Sequence, residues 1–119
     1  MWRDDAYLLD MLLAARKAVA FTQDVTREQF EADERLQFAT VRALQIVGEA
    51  ARGISPEFKD SQPAVPWAAI VGLRHRLVHE YLRIRVQKVW EVICDDLPKL
   101  ILQLQALVPP DEPGDSLKK

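Results

Sequence analysis

Tyr7, Leu8, Met11, Leu12, Ala15 and Val19 recur at three- and four-residue steps, with Asp10, Arg16 and Lys17 off that stripe. This is the period of a helix with one buried face, and Asp4 or Asp5 stands where an N-cap is expected. Phe21 to Val25 reads as a connector, and Thr26-Arg27-Glu28-Gln29 has the spacing of a capping box that starts a new helical turn. A long helix is predicted from about Asp33 to Arg52, with Leu36, Thr40, Ala43, Leu44, Val47 and Ala50 on its inner face and Gly53 as its stop. Gly48 lies mid-helix, where glycine costs roughly 1 kcal/mol. Together with the alanines around it, it predicts that a neighbouring helix approaches closely there.

Ser55-Pro56 has the pattern of an N-cap followed by proline at the first helical position. Ser61 to Pro66 reads as a rigid connector from which Pro66 opens the next helix, with Trp67, Ile70, Val71, Leu73, Leu77 and Val78 as its apolar surface. Leu82 to Arg85 is a break or bend. A final helix starts near Val86 and carries Val89, Trp90, Ile93, Leu97, Leu100, Ile101, Leu104 and Leu107. Pro98 lies inside it and must either kink it or start a new helix with Asp96 as cap. Trp67 and Trp90 fall on apolar stripes and read as packing residues. Residues 1–108 are therefore expected to form one all-α bundle of four or five helices. Residues 109–119, rich in proline and charge, read as a disordered tail.

The 119 residues suffice for one domain. The apolar stretch near the N-terminus is broken by Asp10, Arg16 and Lys17, and no run approaches the ~20 apolar residues of a membrane span. No export signal is expected, and the chain reads as soluble and cytoplasmic. Cys94, the single cysteine, permits no internal disulfide and no cysteine-based metal cage; it reads as an inert core residue. No glycine-rich phosphate-binding loop occurs, and no cofactor is implied.

Charge changes the picture more. The net charge is −2, which excludes binding of nucleic acid through an overall basic chain. Yet Arg74, Arg76, Arg83, Arg85 and Lys88 face only Glu80 within residues 74–88, a local +4, while the rest of the chain sums to −6. Such a concentrated cationic segment suits an anion such as a phosphate backbone; a solvated helix face with scattered arginines is the plainer alternative. The segment reads Arg74-His75-Arg76-Leu77-Val78-His79-Glu80-Tyr81. His75 and His79 share a helix face at i, i+4. Arg74 and His79 lie about 140° apart on a straight helix and converge only if the helix ends near His79 or the partner side chain comes from elsewhere. An imidazole that titrates near neutrality can take the proton of a ribose 2′-hydroxyl, and a guanidinium can hold the phosphate and its added transition-state charge.

Arg74 and His79 match the Rx4-6H motif of the HEPN ribonuclease superfamily, extended to RxxxxHxY by Tyr81. The surroundings resemble its HepT-like branch through Phe21-Thr22, Gln29-Phe30, Val47-Gly48-Glu49-Ala50-Ala51, Val65-Pro66-Trp67, Val89-Trp90 and Asp96-Leu97-Pro98. The series covers nearly all of residues 5–107. The resemblance implies a helical homodimer in which two RxxxxHxY segments meet in a shared cleft. It also implies a metal-independent endoribonuclease toxin with RNA as substrate, and a minimal nucleotidyltransferase (MNT-type) antitoxin that transfers AMP to the motif tyrosine, here Tyr81. Arg74 and His79 would be catalytic, with His75, Arg76, Arg83 and Arg85 supporting RNA binding. An AMP group would oppose RNA by charge and by bulk, and a two-fold axis would let residues that diverge on one helix converge. Two positions depart from the commonest family pattern: His75 stands where asparagine is frequent, and Arg85 where an acidic residue is frequent.

Plainer roles stand beside these. Arg74 and His79 also fit an ion-pairing arginine and a half-buried histidine, His75 a structural or RNA-positioning role, and Tyr81 a core aromatic with a tethered hydroxyl. Glu49 fits an interface contact or, more simply, an exposed carboxylate. A zinc site at His75 and His79 needs a third ligand, with only Glu80 and Cys94 nearby. The rival reading of the whole chain is a non-catalytic helical subunit that partners a nucleotidyltransferase, or a modification substrate whose toxicity has another basis.

Overall fold

Three side chains start helices where local chemistry favours it. Thr26 forms the full capping box, its hydroxyl accepting from the Gln29 N–H at 3.1 Å while the Thr26 N–H donates to Gln29 Oε1 at 2.9 Å. Asp33 Oδ1 accepts from the Leu36 N–H at 3.0 Å, and Ser55 Oγ from the Phe58 N–H at 3.2 Å with Pro56 in the first turn. Each such cap is worth roughly 1 kcal/mol. The computed structural model describes residues 2–80 and 85–109. It contains α1 (Trp2–Phe21), α2 (Arg27–Ala32), α3 (Glu34–Gly53), α4 (Pro56–Ser61), α5 (Trp67–His79), α6 (Val86–Glu91) and α7 (Leu97–Leu107), with a π-helical turn (Val92–Asp96) joining the last two. No strand occurs among the described residues, and no helix there is long and apolar enough to cross a membrane. Tyr81 to Ile84 and residues 110–119, which hold the expected break and nearly all of the expected tail, lie outside the described residues.

Helix α3 is the centre of an all-α bundle, packed by α1 on one side and α5 on the other, while α7 packs on α1 and α2 bridges α3 and α6. The contact faces are rich in small residues: Ala14, Ala15 and Ala18 of α1, and Ala43, Ala50 and Ala51 of α3, are buried with Leu8, Met11, Leu12, Leu44 and Val47. The predicted inner face of α3 is buried from Thr40 to Ala50, with Leu36 half-buried at its edge. Both tryptophans pack as expected. Trp90 lies against the fully buried Phe30 with ring centroids 5.2 Å apart, and Trp67 sits edge-on to Phe58 and donates its indole N–H to the Gln62 carbonyl at 3.0 Å. Burial of Phe30 alone contributes roughly 1.5–3 kcal/mol.

Four local expectations are corrected. Helix α1 begins at Trp2, so Asp4 is no cap; it is buried and accepts from the Ser55 N–H and Oγ–H, both at 2.8 Å. Pro66 is the N-cap of α5, one residue before its start. Asp96 caps nothing: its backbone is helical and its side chain makes no cap bond. Cys94 is exposed, in the π-helical turn. The turn itself answers the Pro98 question. Proline lacks an N–H and its ring presses on the carbonyl four residues back, at Cys94, so one wider turn relieves both faults without breaking the helix.

Candidate active site

The cationic segment begins where α5 crosses α3. At Gly48 an added Cβ would overlap the Cβ of Arg74 and come within 2.7 Å of its Cγ and 3.2 Å of its Cα. Only glycine admits that crossing, and it clamps the Arg74 stem against α3. Arg74 is half-buried, and its Nε is shielded from water with no hydrogen-bond partner among the described residues. A buried donor left unpaired costs roughly 1–3 kcal/mol.

Helix α5 ends at His79, with Glu80 as C-cap, but Arg74 and His79 both lie within it, so one protomer keeps them on different sides of the helix. The end is held by Gln45 of α3, whose side-chain Nε2 donates to the Leu77 carbonyl at 3.0 Å and satisfies one of the last free acceptors of α5. His75 and His79 are exposed and side by side, ring centroids 4.4 Å apart at 52°. They offer two imidazoles, and no third metal-ligating side chain joins them in a group among the described residues. Ala68 and Gly72 share their exposed side of α5, and Gly72 has nothing within 4 Å of an added Cβ.

Arg76 faces elsewhere. With Arg85, Gln87, Lys88 and Glu91 it lines a polar cleft of about 390 Å³ between α5 and α6. The structure thus gathers Arg76 and Arg85 in one place, His75 and His79 in another, and sets Arg74 apart against α3. Tyr81 and Arg83 lie outside the described residues. Gln45 and Gln87 escaped the sequence reading. Gln45 had one available signal, a polar residue three positions before Gly48 on the helix that α5 crosses. Glu49 is exposed in the protomer and bonds Arg42 at 3.2 Å.

Residues 11–107 match the family model described as ribonuclease HepT-like. The chain belongs to that family. Among HepT-like relatives, the "Probable ribonuclease HepT" of Thermococcus cleftensis is 36% identical over 94 residues, 79% of this chain and 86% of that protein. Two proteins named "Putative RNase" are also similar. One, from Methanocaldococcus jannaschii, is 38% identical over 95 residues, covering 80% of this chain and 87% of its own. The other, from Caldanaerobacter subterraneus subsp. tengcongensis, is 32% identical over 102 residues, covering 86% and 91%. No solved structure matches. The matched HepT-like span contains both the Gly48 crossing and the whole Arg74-to-Tyr81 segment.

Proposed function

We propose that this HepT-like protein is a metal-independent endoribonuclease toxin, active as a homodimer and built around Arg74 and His79. The observation that carries the reading is the state of Arg74: its stem is fixed by Gly48, and its shielded Nε meets no acceptor among the described residues, within two turns of a histidine at an exposed helix end. In the proposed reaction His79 takes the 2′-hydroxyl proton, the 2′-oxygen bonds to phosphorus, and the bond from phosphorus to the 5′-oxygen breaks. The departing 5′-oxygen collects a proton from an imidazolium, for which His75 stands beside His79. Arg74 holds the non-bridging oxygens as charge grows on them. The exposed Ala68, Gly72, His75 and His79 side of α5 supports pairing of two copies there, which would bring two pairs of histidines into a shared cleft.

Tyr81, two residues beyond the end of α5, is the proposed acceptor of AMP from an MNT-type nucleotidyltransferase antitoxin. Its phenolic oxygen bonds to the α-phosphorus of ATP and pyrophosphate leaves. The added phosphate would then compete with RNA for Arg74.

Purified protein is expected to cleave RNA in the presence of EDTA. His79→Ala and Arg74→Ala are each expected to lower the rate by about 10²-fold or more, as losses of a proton-transfer group and of a charge-stabilising group do. Full activity in either variant, or no cleavage by the native chain, overturns the assignment.

A further inference from the structure

The chain has two histidines, and α5 sets both on one exposed side, a helical turn apart. Their ring centres are 4.4 Å apart with the planes tilted by 52°, so the rings adjoin without stacking face to face. Neither ring makes a hydrogen bond or an ion pair among the described residues. Two imidazoles bound to one metal ion through nitrogens 2.0–2.1 Å away have ring centres roughly 4.5–5 Å apart when they sit at right angles or a little wider about it. A small turn of exposed side chains reaches that spacing. The surroundings favour a cation on this side. His79 is the last residue of α5, where the helix end carries about half a negative charge, and Glu80 adds a full one. Arg74 is held against α3, and Arg76 lines the cleft toward α6. Helical side chains lean toward the N-terminus, which puts His75 over Gly72. A Cβ added at Gly72 finds no neighbour within 4 Å among the described residues, so the space beside the pair is open.

We propose that His75 and His79 form a chelating site for a divalent transition metal of the zinc class, and that the bound ion switches RNA cleavage off. Imidazole nitrogen selects such ions over magnesium and calcium, which take oxygen ligands. A permanent zinc centre takes three or four protein ligands. Here one protomer supplies two, and water or the same pair of a second copy in the shared cleft supplies the rest, which makes the ion exchangeable. The switch follows from the electrons involved. A neutral imidazole has one free lone pair, and the pair with which His79 would take the 2′-hydroxyl proton is the pair the ion occupies. His75 is engaged in the same way, and both groups return when the ion leaves. The metal site stands on the histidine geometry alone; the switch rests on the nuclease reading and adds regulation to it.

Calorimetric titration of ZnCl2 into untagged, metal-free, full-length protein without RNA reads the site apart from catalysis. Saturation is expected at no more than one ion per chain, with CuCl2 binding more tightly than ZnCl2 and MgCl2 giving no measurable binding. Loss of an outer partner of a metal ligand costs about 10–100-fold in affinity, so His75→Asn, which removes a ligand itself, is expected to weaken zinc binding by at least about tenfold. His75→Cys, which puts a thiolate ligand at the same place, is expected to retain it. RNA cleavage by native protein is expected to fall over the zinc concentrations that fill the site, and to return on addition of EDTA. Absence of zinc binding, or an affinity unchanged in His75→Asn, overturns the site; full cleavage by zinc-saturated protein overturns the switch. Native protein that binds zinc as stated but leaves RNA intact in EDTA sinks the nuclease reading and leaves the metal site standing. Native protein that cleaves RNA in EDTA and takes up no zinc does the reverse.

Discussion

At the scale of single residues, Gly48 decides more than any charged group. Its cost within a helix marked it in the sequence, and the crossing of α5 explains it. The atoms an added methyl would strike are the Cβ and Cγ of Arg74, the stiff root of that side chain, so the helices themselves must part. Overpacking of this kind costs about 1–3 kcal/mol, against about 1 kcal/mol gained in helix propensity. Gly48→Ala is therefore expected to destabilise the protein by up to about 2 kcal/mol in urea unfolding. It is also expected to lower RNA cleavage beyond what the stability loss explains, because Arg74 is displaced. A more stable, fully active variant would show that the crossing does not position Arg74. Other features of the site were less legible. The i, i+4 spacing of His75 and His79 sufficed to predict their contact, whereas the buried state of Arg74 Nε depends on which face α5 turns to α3. That face is a tertiary choice, made by Leu77 and Gly48 together.

At the scale of elements, signals that act within four residues could be read and those that act across the chain could not. Thr26 and Ser55 cap helices because their partners lie three positions on. Asp4 was misread because its partner is Ser55, 51 positions away, where it ties α1 to the start of α4. The convergence of Arg76 with Arg85 and Lys88 was hidden for the same reason: the sequence supplies a run of charge, and the relative placement of α5 and α6 decides which members share a cleft. The Asp4 tie carries a pH signature. The Ser55 backbone N–H, chiefly, holds the Asp4 carboxyl below the usual carboxylate range, against the opposing effect of burial and with further help from the Ser55 hydroxyl and from nearby positive charge. A carboxyl with a lowered folded-state pKa adds stability that is complete above its unfolded value and fades as pH falls through the folded one. Asp4→Ala should therefore cost on the order of 1–3 kcal/mol at neutral pH, the range for hydrogen bonds to a charged group. The difference from native protein should shrink in unfolding measurements taken at progressively lower pH below 4. A difference that stays constant into acid would show that the tie is not ionic.

At the scale of the molecule, one protomer separates the two groups assigned to catalysis. Arg74 leans on α3, while His79 stands on the exposed side of α5 with His75, Ala68 and Gly72. A second copy laid along that side, related by a two-fold axis, would set its own two histidines in the same seam, beside those of the first copy. Such a seam would suit close approach, because Ala68 and Gly72 present almost no side chain and a Cβ added at Gly72 has no neighbour within 4 Å among the described residues. That emptiness gives a clean test. At Gly72→Arg the new Cβ meets no tertiary neighbour within 4 Å among the described residues, and arginine improves helix propensity, so the fold and its helical circular dichroism should persist. In a dimer the two-fold axis would set the two new guanidinium groups against each other in a desolvated seam. Like charges so placed cost several kcal/mol, or about two decades in dissociation constant. Sedimentation should then show monomers at concentrations where native protein is dimeric, and RNA cleavage should fall in parallel. Dilution of native protein should lower activity per chain over the same range in which dimers dissociate. A Gly72→Arg protein that stays dimeric and active would place the seam on another face, and the cleft would then have to assemble from one protomer alone.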